Sequence, residues 1–88
     1  KPLYPHLTVE VDTAYIYDDL MRWYANNRNQ IGAAKRAYEQ GNARREKIEQ
    51  WFKDHGYVFG KDYRYTSDTK YYFASESLAS MFILGVTQ

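Results

Sequence analysis

Between Asn42 and Phe73 the spacing of apolar side chains changes once, from a helical period to an extended one, and Gly56 stands at the change. In NARREKIEQWFKDHG, Ile48, Trp51, Phe52 and His55 fall on one helical face, with Arg44, Lys47 and Glu46 or Glu49 pointing elsewhere. Gly56 ends that helix, since a glycine adopts the left-handed closing conformation without steric cost, and His55 reads as a half-buried structural residue. In YVFGKDYRYTSDTKYYF the period is two. Tyr57, Phe59, Tyr63 and Tyr65 alternate around a bulge or tight turn at Gly60–Lys61, and Thr66–Ser67–Asp68–Thr69 supplies a hairpin turn. Lys70 to Phe73 returns with Tyr71 and Phe73 on one face and Tyr72 on the other, which places Tyr65, Lys70 and Tyr72 on an exposed ribbon face near Arg64 if the register allows.

The segments on either side obey the same logic. Lys1 to His6 holds both prolines and reads as an extended lead-in. Leu7 to Val11 alternates as a short strand, with Leu7, Val9 and Val11 on one face. Asp12 or Thr13 can cap a first helix from Thr13 to about Asn26, whose stripe is Ile16, Leu20 and Trp23 or Tyr24; Asp18 stands four residues before Arg22, the spacing of a helix ion pair. The run ANNRNQ stops it, because asparagine amides compete for backbone partners. Residues 29–55 admit two readings. Asn29 caps a short helix that breaks at Gly41–Asn42, giving a helix–turn–helix, or one helix runs from Asn29 to His55 with a single apolar seam. Gly41 costs a helix interior about 1 kcal/mol, which favours the break; the continuous helix favours a dimer or a partner-binding hairpin. Ser75 caps a last helix from Glu76 to Leu84, and Gly85 ends it.

The expected fold is therefore α+β: a single domain over 1–88, helical, with a short N-terminal strand and a C-terminal β-hairpin, a winged-helix arrangement being one option. Sixteen of the 88 side chains are Tyr, Phe or Trp, so the core is aromatic rather than aliphatic. With no cysteine, disulfides and thiolate metal sites are excluded, and two histidines are too few for a histidine-rich metal site. No cofactor is expected. No apolar run reaches membrane-spanning length, and the start lacks a signal-peptide block, so a cytoplasmic protein without a membrane partner is expected.

Charge is unevenly spread. Residues 1–21 carry net −3, residues 22–61 net +5 and residues 62–88 net −1. Phosphate neutralisation comes first in nucleic-acid binding, and Arg28, Lys35, Arg36, Arg44, Arg45 and Lys47 can supply it, with Asn42 reading base edges. Arg64 and Lys70 on the hairpin can reach the backbone as a wing, and Tyr65 or Tyr72 can stack on unpaired bases or serve an interface. No Gly-rich phosphate loop or paired-histidine pattern is present, and no catalytic residues are assigned. The expectation is a non-catalytic binding module: a small DNA-binding regulatory protein using a basic helix plus a hairpin. RNA remains an alternative ligand, as does a protein partner bound through an aromatic and arginine-rich surface, and the chain suits a monomer or a homodimer.

One stretch resembles a known family. Trp51–Phe52–Lys53, then His55–Gly56–Tyr57–Val58–Phe59–Gly60–Lys61–Asp62–Tyr63, and later Tyr71–Tyr72–Phe73 leading into Ala74 to Leu84, look like the N-terminal domain of phage AntA/AntB-type antirepressors. The resemblance covers about the last forty residues, and the basic residues of the family's tryptophan helix are reduced here to Lys53. It implies a phage or prophage regulatory protein acting on DNA or on a regulatory partner.

Overall fold

The computed structural model describes residues 3–87. Its elements in order are β1 (Val9–Asp12), a 3-10 turn (Ala14–Tyr17), α1 (Asp18–Asn27), α2 (Ala33–Asp54), β2 (Tyr63–Tyr65), β3 (Lys70–Phe73) and α3 (Glu76–Thr87). The α+β expectation holds: an open antiparallel sheet of order β1-β3-β2 packs its inner face against α2 and α3. Lys1 and Pro2 of the lead-in lie outside the described residues.

The sheet is shorter at its start than the alternation implied, because the Leu7 amide donates to the Tyr4 carbonyl and closes a turn there. The faces agree with the alternation: Leu7 and Val11 are buried, while Thr8 and Glu10 are exposed. Asp12 Oδ1 accepts from the Ala14 amide at 2.9 Å and so starts the 3-10 turn. Thr13 does something else. It is fully buried, and both its amide and its hydroxyl donate to the Thr69 carbonyl at 2.7 Å, tying the start of the helical region to the hairpin turn.

Three glycines correct the helix boundaries. α2 runs unbroken through Gly41, so the preferred break and the helix–turn–helix built on it do not occur. The helix starts at Ala33 rather than at an Asn29 cap, because Gly32 takes a positive φ of 81° and reverses the chain there. Gly41 keeps ordinary helical geometry facing α1, where a β-carbon would stand 4.0 Å from Leu20, an ordinary contact. Gly85 does not end α3 either, which continues to Thr87. A β-carbon on Gly85 would fall inside the Trp51 indole, so this glycine is a packing site between α2 and α3. Ser75 does cap α3, its Oγ accepting from the Leu78 amide at 3.2 Å.

Phe52 is the centre of the core. It is 1% exposed and stacks on Tyr63 at 3.8 Å and on Phe82 at 5.0 Å, with Tyr71 and Phe73 tilted against it. His55 is exposed rather than half-buried: α2 ends beside it, and its ring stacks on Trp51 at 4.0 Å with Nδ1 2.9 Å from the Trp51 carbonyl.

A helix of 22 residues is about 33 Å long, and only its C-terminal half carries the buried Ile48 and Phe52. The N-terminal half pairs with α1 instead. Ile16 and Asp19 meet Arg44, Leu20 meets Gly41, and Trp23 meets Arg36, so the partners run in opposite directions along the two helices. Residues 18–43 thus form an antiparallel helical arm on a molecule of 45 × 30 × 17 Å.

Candidate nucleic-acid interface

The basic residues of α2 divide into those the fold has used and those it leaves outward. Arg44, expected to face away from the core, is only 26% exposed. Its Nη1 donates to Asp19 Oδ1 and to the Ile16 carbonyl, both at 2.7 Å, and Nη2 donates to Asp19 Oδ2 at 3.1 Å. Each group steadies the other's charge: the guanidinium holds the Asp19 carboxyl below the usual carboxylate range, and the carboxylate raises the Arg44 pKa. Arg44 is a strut between α2 and α1. Arg45 leans the other way, with Nη1 3.6 Å from Asp68 in the hairpin turn and Nη2 donating to Asn42 Oδ1 at 3.0 Å. The turn therefore does lie beside the helix, but through a contact that occupies Arg45 and Asn42. Lys47 is exposed beside a shallow groove of about 160 Å³ between α2 and α3.

The hairpin residues sort by register. Tyr65 pairs with Tyr71 and Arg64 with Tyr72, so Tyr65 and Tyr72 project to opposite faces of the sheet. The shared stacking face does not form. On the outer face Arg64 lies 4.0 Å over the Tyr72 ring and donates from Nε to the Leu7 carbonyl at 3.3 Å, while the Tyr72 hydroxyl donates to Glu10 at 2.8 Å. Lys70 is exposed on that same face, paired across the strands with Asp12. Along the β2 edge, half-exposed Tyr65 and Phe59 join Tyr4 around a cleft of about 260 Å³ that Leu3 and Arg64 complete. Gly60, at φ 84°, lets the Tyr4 ring approach to 3.0 Å from the position of a β-carbon.

The remaining cations gather on the arm. Arg28 caps the C-terminus of α1, and Lys35 and Arg36 open α2 on the far side of the Gly32 turn. Arg36 lies 4.9 Å over the Trp23 ring. Lys35 is 3.8 Å from Glu39, an exposed pair of little energetic consequence. Arg22 joins them. Its spacing with Asp18 suggests an ion pair, yet among the described residues the ion pairs are Lys35–Glu39, Arg44–Asp19 and Arg45–Asp68. A sequence signal for this cluster exists: from Leu20 to Tyr38 there are four Arg or Lys and no Asp or Glu. The same stretch holds three asparagines and Gln30, and Ile31 stands fully in solvent at the turn.

Among the described residues no helix is long and apolar enough to cross a membrane. No family model matches the chain, and no curated protein and no solved structure matches it either, so the likeness to the antirepressor domain is carried by the quoted residues alone.

Proposed function

We propose that this protein is a non-catalytic, cytoplasmic nucleic-acid-binding module of the regulatory kind, with DNA as its ligand, and that the arm makes the contact. One observation carries the reading: the acid-free stretch from Leu20 to Tyr38 makes up most of the arm, and Arg22, Arg28, Lys35 and Arg36 all lie on it. A cluster of one sign raises the local concentration of an oppositely charged ligand and speeds its capture, even when net charge over the whole chain is only +1. Arg44 and Arg45 support the arm's position rather than touch the ligand.

The test is fluorescence anisotropy of labelled duplex DNA against the wild-type chain and the Arg28→Glu/Lys35→Glu/Arg36→Glu variant, with helicity checked by circular dichroism. Binding at low salt that the variant loses, with its fold intact, supports the proposal. No binding by the wild type removes it.

A second reading has its own observation. The cleft of Tyr4, Phe59 and Tyr65 beside Arg64 has the aromatic and arginine composition common at protein hot spots, and it suits a protein partner such as the target of an inhibitor or adaptor. Phe59→Ala abolishes binding under this reading and leaves nucleic-acid affinity unchanged under the first.

A further inference from the structure

Resting on the nucleic-acid reading, we infer that the arm grips the phosphate backbone of a duplex without reading its base sequence. The first ground is width. Two helices packed side by side, each about 10–12 Å thick with axes about 8–10 Å apart, span about 20 Å. The major groove of B-DNA is about 12 Å wide and admits one helix. The contacts of Asp19 and Leu20 with Arg44 and Gly41 hold α1 along α2, so the pair laid flat on a duplex bridges the groove from one phosphate wall to the other.

The second ground is charge. Along the side of α2, Glu39 and Glu46 are exposed between the lysines, and a groove wall of phosphates would meet both. From Leu20 to Tyr38 the arm has no carboxylate of its own, and Lys35 is the one of its four cations with an ion-pair partner among the described residues, the exposed Glu39 at 3.8 Å. These cations come from α1, from the turn and from α2, a spread that reaches several phosphates at once and places no paired donors on one base edge. The third ground is stacking. Single-strand binders offer aromatic rings to successive bases, whereas here Trp23 lies under Arg36 and Tyr38 is the one large aromatic ring exposed on the arm, too few for a stacking track.

Counterion release makes this measurable. Four phosphate contacts on a duplex give a log–log slope of affinity against salt of about −3.6, and each contact removed lowers it by about 0.9. The experiment titrates the full chain with three 20-base-pair duplexes of unrelated sequence, and with one single strand, at four salt concentrations. Expected are affinities within about twofold across the duplexes, weaker single-strand binding, a slope between about −3 and −4, and a loss of about one unit of slope in Arg28→Ala and in Lys35→Ala. A tenfold preference for one duplex overturns the inference and leaves the nucleic-acid reading standing. So does preference for the single strand, or an unchanged slope in both variants. Absence of binding to every probe at the lowest salt overturns the reading beneath it as well.

Discussion

The sheet half and the arm are held together by different means. In the sheet half, Phe52, Tyr63, Tyr71, Phe73 and Phe82 contact one another ring to ring, and Phe52 sits in five aromatic pairs with partners from four other segments. The arm has no such centre. Ala33 and Leu20 are its buried residues, and its helices are joined by the Arg44–Asp19 strut, the Leu20–Gly41 contact and the Arg36–Trp23 stack. A region that buries little hydrophobic surface places little demand on its outward side chains. That freedom is what allows nineteen consecutive residues to omit acidic groups.

The contrast makes predictions that could break it, the largest at the centre of the core. Phe52→Ala is expected to destabilise by about 3–5 kcal/mol, through lost burial and the cavity left behind. Tyr38→Ala, on the arm and 70% exposed, should fall within about 0.5 kcal/mol of wild type. Urea denaturation of both variants checks this, and equal costs would mean the arm is packed as the core is. At Gly85 an alanine must displace the Trp51 ring, and overpacking of this kind costs about 1–3 kcal/mol.

Alkaline pH separates the halves further. Burial pushes the Tyr57, Tyr63 and Tyr71 hydroxyls, all in the sheet half, above their ordinary pKa of 10.0. The unfolded chain then releases its protons first, so the stability these groups contribute is intact below pH 10 and is lost as pH rises beyond it, at up to about 1.4 kcal/mol per pH unit for each group. Tyr71→Phe should flatten the fall between pH 10 and 11 in denaturant midpoints. The smallest effect has the opposite sign. Gly41→Ala places a methyl group in ordinary contact with Leu20 and removes a glycine from a helix interior, so it should stabilise by up to about 1 kcal/mol. A loss instead would show that α1 and α2 pack more tightly at Gly41 than their contacts imply.

These glycines also mark how far the sequence can be read. The helix stop at Gly56 is local, and so are the Thr66–Thr69 turn and the Ser75 cap; all three stand as expected, whereas the extended strand expected from Tyr57 begins only at Tyr63. Gly41 and Gly85 look like stops in the sequence because the packing that carries the helices through them is with Leu20 and Trp51, 21 and 34 positions away in the chain, and only at Gly85 does that packing require a glycine. The same distance hides the state of the arginines. Arg44 has a carboxylate at Asp19 and Arg45 one at Asp68, and neither partner stands at a helical spacing that a reading of α2 would test. Tyr65 lies on the opposite face from the one expected for a simpler reason: a turn of four residues does not by itself fix register, and a shift of one moves every side chain across the sheet.

The chain has two tryptophans, and the fold assigns one to each half. Trp23 lies in the arm under the Arg36 guanidinium, and Trp51 lies between the His55 ring and Gly85 in the sheet half. Trp23→Phe and Trp51→Phe therefore yield two single-tryptophan proteins, and exciting tryptophan selectively over the ten tyrosines reports on one region in each without any added label. Emission recorded through a thermal melt would show whether the arm comes apart before the aromatic centre opens or at the same temperature.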